Sequence, residues 1–403
     1  MSNKPACLRS ARLSVECLED RTTPTFVTRG GGTININGTT VEAGGLSIAA
    51  GDLFPNRLDP SGLGNEMQYV TGTGPGTESL VRIWDSQTGA LLGAFDPFPG
   101  YQGGVNVAVG DVLGTGSQQI IVTAANGPPI VAVFNTNGQV LSAFFLAGNT
   151  TFMGGLNVAV GHVSGPEVSS GFDDSNSNDS APEQIILGTA SQASIVAVTD
   201  GYGNISSIFQ AFSGFTGGVT LAVADIDPTD FSFDGSQSDN SDSPNTSSYA
   251  EIIVGAASKM PAVAVYDVWT GSVVERNAFW AFAPNSGAGV TLVAGDTADL
   301  NQAQIYVSLI GTSNVNVFNG SSDTLMGSFS VYPANYSAGI NMVLGWFTPG
   351  GYDPTDDADF DSMDLAVVAG DGSYQQQPRF LVGSFDGSPA GFNGPDENDQ
   401  FIL

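Results

Sequence analysis

Four carboxylates stand at close, regular spacing in Asp357-x-Asp359-x-Asp361-x-x-Asp364, and a second group opens as Asp225-x-Asp227 with Asp230 behind it. Like charges packed this densely repel one another unless water or a cation neutralises them. Oxygen donors on a short, flexible stretch suit a hard cation, and calcium takes about six to eight such ligands. The expected metal ligands are therefore Asp357, Asp359, Asp361 and Asp364 in one loop and Asp225, Asp227 and Asp230 in another, with calcium as the cofactor. Glu251, beyond a long insertion, is placed in sequence to close the second loop. The competing reading of both stretches is a solvated acidic loop.

Other chemistry is poorly provided for. His162 is the sole histidine and has no ligand or nucleophile beside it in sequence, so it reads as a surface or turn residue. Cys7 and Cys17 both precede the repetitive region. A Ser-His or Cys-His nucleophile would have to be built on His162 alone, which argues against that class of enzyme. Lys259 is the only lysine of the repetitive region, and Arg57, Arg82, Arg276 and Arg379 are its only arginines, so anionic substrates meet few counter-charges. A hydrolase working with two carboxylates needs only a suitably spaced pair, and nothing in the sequence singles one out.

The elements that must position the acidic loops are repeats. Gly103–Asp111 reads GGVNVAVGD and returns as GGLSIAAGD (44–52), GGLNVAVGH (154–162), GGVTLAVAD (217–225), AGVTLVAGD (288–296) and AGINMVLGW (338–346). Each copy joins a small-residue lead-in to an alternating apolar run, the pattern of a buried strand. Second strands follow at 119–124, 184–189, 251–256, 304–309 and 364–369, then a third and a fourth strand joined by turns such as Asn137-Gly138 and Thr270-Gly271. Four strands in about 50 residues make one propeller blade. The expected fold is all-β, a propeller of six four-stranded blades with units starting near 44, 103, 154, 217, 288 and 338, a seventh blade being the alternative. Aromatic residues near the end of each fourth strand, among them Phe95, Phe144, Phe209, Phe279 and Phe329, read as core between blades. The sixth unit has no clear fourth strand, so the hairpin around Asn37-Gly38 is expected to complete the ring from the other end of the chain. Insertions at 163–183, 226–250 and 347–363 all fall between first and second strands and so leave from one face.

Composition agrees. The chain has 53 glycines and 12% charged residues in 403, with a net charge of −30. Five of the ten basic residues lie in the first 29 positions, which leaves the propeller more acidic still. Such a surface repels phosphate backbones and anionic lipid headgroups, so nucleic acid is excluded as a partner. No run of 18 apolar residues is present, so membrane insertion through a helix is not expected.

The repeated pattern of a GGVxVAVGD strand, an acidic loop, an IIVG-like strand and a VxVF strand with an NG or TG turn resembles the FG-GAP/VCBS repeats of bacterial surface propellers, akin to the integrin α-subunit head. The likeness spans residues 44 to about 385. It implies calcium in the loop after the first strand, where the family carries Asp-x-Asp-x-Asp-Gly-x-x-Asp. Asp111–Gln119 keeps the first Asp but places Leu113, Thr115 and Gln119 at the other carboxylate positions, and Asp296–Gln304 departs similarly. Residues 12–24 (RLSVECLEDRTTP) resemble the Leu-Glu-Asp-Arg segment that opens many exported or surface proteins of one bacterial phylum, with Val15 in place of its first leucine. That likeness implies a sorting address. The expected organisation is an export or disordered segment over 1–25 and a propeller over 26–403. The expected function is a secreted or cell-surface, non-enzymatic module for binding, adhesion or scaffolding, monomeric, with an unknown protein or a surface glycan as partner. A carbohydrate-active hydrolase or lyase on the same scaffold is the alternative.

Overall fold

The structure is a computed structural model and describes residues 29–36, 39–44, 47–54, 67–76, 78–86, 89–149, 151–163, 182–226, 250–269, 272–295, 303–332, 337, 339–345, 364–369 and 379–381. An antiparallel hairpin comes first, β1 (Arg29–Ile36) with β2 (Thr39–Gly44), its innermost pair Ile36↔Thr39 flanking the expected Asn37-Gly38 turn.

Five four-stranded antiparallel sheets follow in meander order. Blade one is β3 (Ser47–Gly51), β4 (Gln68–Gly72), β5 (Val81–Asp85) and β6 (Leu91–Phe95). Blade two is β7 (Val105–Gly110), β8 (Gln119–Ala124), β9 (Ile130–Phe134) and β10 (Val140–Phe145). Blade three is β11 (Leu156–Gly161), β12 (Gln184–Thr189), β13 (Ile195–Thr199) and β14 (Ile205–Gln210). Blade four is β15 (Val219–Ala224), β16 (Glu251–Ala256), β17 (Ala262–Trp269) and β18 (Ser272–Trp280). Blade five is β19 (Val290–Gly295), β20 (Gln304–Leu309), β21 (Asn314–Asn319) and β22 (Leu325–Ser330). A sixth sheet has three strands, β23 (Ile340–Gly345), β24 (Asp364–Ala369) and β25 (Arg379–Leu381).

This corrects the expectation of six four-stranded blades: among the described residues there are five, and the sixth sheet stops at three strands. The hairpin does not add to that sheet; its two strands pair only with each other. The reason lies in the composition after β25, where 383–399 is dominated by Gly, Pro, Asp and Asn and offers no alternating apolar run to extend the sheet. The first strand of each sheet lies innermost, beside the first strands of its two neighbours, and β23 lies beside β3. A cluster built from Tyr69, Trp84 and Ala366 joins the sixth sheet to the first.

The repeat pattern follows from packing. Second strands β4, β8 and β16 are buried at every position because a neighbouring blade covers each face. Outer strands β10 and β14 are mostly exposed, with half-buried or buried residues between the exposed ones. In all five four-stranded blades the outer pair carries a register break, next to the turn in four of them, as at Ile83/Trp84, and mid-strand at Val265/Tyr266 in blade four, a bulge that twists the free edge. The aromatic stripe does link blades: Phe95 meets Phe134 at 4.9 Å, Phe209 meets Tyr266 at 4.7 Å and Phe279 meets Phe318 at 4.9 Å, each across a blade boundary. Trp280 and Phe145, next along the same strands, point outward and are exposed.

The motif glycines have separate jobs. Gly155, second of the lead-in pair, holds φ at +70° and its missing Cβ would strike the Ala125 carbonyl of the preceding blade. Gly161, at the strand's end, leaves room for the Val223 side chain of the next blade's first strand.

Candidate functional site

The acidic loops begin where each first strand ends, and a clamp from the second strand fixes that exit. The first residue of the second strand reaches back and accepts a backbone N–H of the loop: Leu53 donates to Gln68 (2.9 Å), Leu113 to Gln119 (3.1 Å), Val163 to Gln184 (2.9 Å) and Ile226 to Glu251 (2.9 Å). The donors Leu53, Val163 and Ile226 are buried between blades, so an N–H left unpaired there would destabilise the fold.

In blade two the exit loop is closed by hydrogen bonds among its own residues. The Asp111 carboxylate accepts the N–H groups of Thr115 (2.9 Å) and Gly116 (2.6 Å), and the Gln119 amide donates to Asp111 Oδ1 (3.1 Å), to Thr115 Oγ1 (2.9 Å) and to the Ser117 carbonyl. One amide nitrogen thus faces three oxygens in the loop where the resemblance implies calcium. Partial burial pushes the Asp111 carboxyl up, but the hydrogen bonds from Thr115, Gln119 and Gly116 outweigh it and hold the group below its ordinary range.

Blade four keeps a carboxylate at the clamp. Glu251 is 2% exposed. Its second oxygen lies 2.6 Å from the Arg276 guanidinium, and Asp267 stands 3.6 Å from the same guanidinium. Burial pushes Glu251 up to about 7, the Ile226 N–H and Arg276 oppose this, and the charges of Asp225 and Asp267 add to it. Arg276 therefore occupies one of the oxygens that Glu251 would offer to an ion.

Asp225 is half-buried at the exit of β15. Asp227, Asp230, Asp357, Asp359 and Asp361 lie outside the described residues, and Asp364 opens β24 opposite Gly345, with its side chain likewise outside them. Among the described residues no group of three or more His, Cys, Asp or Glu is placed to hold a metal. His162 is exposed, as a surface residue should be.

A further carboxylate, unremarked in the sequence, crosses a blade boundary. Glu183, just ahead of β12 in blade three, accepts the Asp111 N–H of blade two at 2.6 Å, and its own N–H returns to the Asp111 carbonyl at 3.0 Å. Burial pushes Glu183 up to about 7, partly offset by that N–H, with the Asp111 charge adding to the rise.

The axis carries a polar ring that sequence reasoning also missed. Ser47, Asn106, Asn157, Thr220, Thr291 and Asn341 occupy one position of the six first strands and line a cavity of about 130 Å³. Most of them reach the next blade. Ser47 Oγ accepts the Val107 N–H (2.9 Å); Asn106 donates to the Leu156 carbonyl (2.8 Å) and Asn157 Oδ1 (2.9 Å); Asn157 donates to the Val219 carbonyl (2.5 Å). Thr220 donates to the Val290 carbonyl (3.0 Å) and Thr291 to the Ile340 carbonyl (3.2 Å). The signal was present: every copy of the motif has Ser, Asn or Thr at its fourth position.

No protein-family profile matches the chain, and no curated protein does. Among solved structures, Saccharomyces cerevisiae Sqt1 aligns with a TM-score of 0.41 at 13% identity, covering 76% of this chain and 66% of that one. A protein of unknown function from Bacteroides caccae aligns with a TM-score of 0.44 at 9% identity, covering 78% and 89%. Neither likeness bears on function; the propeller rests on the strand order described above.

Proposed function

We propose that the chain is a secreted or cell-surface propeller of the FG-GAP/VCBS type that binds a partner without turning it over, its unequal loops steadied by calcium at Asp357, Asp359, Asp361 and Asp364 and at Asp225, Asp227 and Asp230. The observation that carries this reading is the division of labour at the first-strand exits. The blade-two loop carries the Gln119 amide where the repeat pattern has an acid and is satisfied within itself, whereas the two loops that keep Asp-x-Asp spacing hold several carboxylates, with Arg276 reaching only Glu251 at the end of one of them. Those two loops belong to long insertions on one face, where a repeat protein varies its contacts.

The partner is a protein or a surface glycan. The test is retention of the full chain on immobilised polysaccharides, with the flow-through assayed for new reducing ends. Retention without product supports a binding module. Release of reducing ends makes the chain a carbohydrate-active enzyme instead.

A further inference from the structure

The turn between second and third strands contains a left-handed residue in all five four-stranded blades: Gly76, Gly127, Gln192, Lys259 and Gly311. It falls eight residues after the first residue of the second strand in blades one to four, and seven in blade five. Three blades use glycine, the residue that adopts this conformation without strain. Blades three and four, which are neighbours, instead hold Gln192 at φ +66° and Lys259 at φ +64°. Both side chains are exposed. A strained backbone that supports no core contact points to what the side chain does in solvent.

The two turns are built alike. Ser191 Oγ donates to the Gly154 carbonyl and Ser258 Oγ to the Gly217 carbonyl, both at 2.9 Å, so each tip is pinned to the segment leading into its own blade's first strand. A half-buried ring accompanies each: Phe152 borders Gly154 beside Ser191, and Phe215 borders Gly217 beside Ser258. Lys259 is the only lysine after residue 4 in a chain of net charge −30, and among the described residues it has no carboxylate partner. Adjacent blades thus present an exposed ammonium and an exposed amide, each on a turn of fixed backbone, at the end of the blades opposite the first-strand exits.

We infer that Gln192 and Lys259 form a recognition patch for a glycan carrying an isolated carboxylate, as in a sugar chain ending in one uronic acid. The ammonium takes the carboxylate, a charge-assisted contact. The Gln192 amide both donates and accepts, which suits sugar hydroxyls. A polyanion is disfavoured, since the net charge of the chain repels extended negative charge that one lysine cannot offset. This assignment rests on the binding-module reading above and names its ligand class.

The test uses biolayer interferometry of the full chain over four surfaces: a glucuronic-acid-terminated oligosaccharide, its methyl ester, the corresponding neutral glucose-terminated sugar and an Asp-containing peptide. Binding is expected on the first surface only. Lys259→Gly should weaken it about tenfold or more, the loss of one charge-assisted contact, and Gln192→Gly should weaken it less. Lys259→Arg should retain binding. Both glycine variants should melt at or above the temperature of the parent protein, because glycine relaxes the turn; a binding residue shows this split, and a structural one does not. Equal binding by Lys259→Gly and the parent overturns the patch while leaving a glycan-binding propeller in place. Capture by the peptide and not by the sugar overturns the glycan assignment. Absence of binding on all four surfaces overturns the ligand class, and the polysaccharide retention assay then decides the wider reading on its own.

Discussion

Replacing Asn157 by valine should loosen the axis of the propeller by a predictable amount. Asn157 is 9% exposed, donates to the Val219 carbonyl of blade four and accepts from Asn106 of blade two. Valine removes both bonds. Asn106 keeps its bond to the Leu156 carbonyl, so one group, the Val219 carbonyl, loses its side-chain donor. Two neutral hydrogen bonds contribute about 1 kcal/mol each, and desolvating the carbonyl adds about 1 kcal/mol, for a total of about 2–3 kcal/mol. An unfolding entropy of about 2.1 cal/mol/K per residue over 403 residues gives about 0.8 kcal/mol/K, so Tm should fall by about 3 °C. Differential scanning calorimetry on Asn157→Val, Asn106→Val and the double variant supplies the readout. The two residues share a bond, so the double variant should lose about 1 kcal/mol less than the sum of the singles. An unchanged Tm for Asn157→Val, or strictly additive losses, would refute the axial ring as a stabilising element.

Two further outcomes concern the strand exits. Glu183 has a folded pKa raised to about 7 from the 4.5 of a free glutamate, so its contribution to stability is fully present below about pH 4.5 and is lost as pH rises through 7. Glu183→Gln keeps an acceptor for the Asp111 N–H, and should match the parent near pH 5 and exceed it at pH 8 by at most about 3 kcal/mol; parallel melting curves across that range would count against the burial of a carboxylate at this boundary. In blade two, Gln119→Glu sets a carboxylate against Asp111 and removes the amide that faces three oxygens. The variant should melt about 3 °C below the parent in chelator and recover in millimolar calcium, whereas a variant indifferent to calcium would show that the amide does not stand in for a cation.

Much of the architecture was legible because the chain repeats it. The second strands at 119–124, 184–189, 251–256, 304–309 and 364–369 fall where their apolar runs place them, and in the first four a neighbouring blade on each face buries nearly every position. The sixth blade was less legible: β25 ends at Leu381, and no periodic signal follows it. The aromatic stripe was half legible, because alternation along an outer strand sends Phe279 into the next blade and Trp280 outward. What sequence reasoning passed over were single polar residues inside apolar runs. Asn106 and Thr220 sit inside apolar runs, yet they carry contacts that run from blade to blade. Gln119 looked like a lost metal ligand, yet it pairs the Leu113 amide, as Gln68 and Gln184 pair the buried amides of Leu53 and Val163. Lys259 stood out in sequence as a lone lysine, but Gln192 needed backbone angles to stand out, since five turns of unlike sequence each hold a residue at positive φ.

The central claim, that calcium steadies the two Asp-rich loops, is tested most directly by counting bound calcium in the full chain by native mass spectrometry while melting the same sample in calcium and in chelator. The account predicts bound calcium, at least one ion of which is lost when Asp357, Asp359 and Asp361 are changed together to asparagine. It also predicts a Tm higher by about 3 °C when free calcium is about a hundredfold above its dissociation constant. No bound ion and an identical Tm across millimolar calcium and chelator would contradict it.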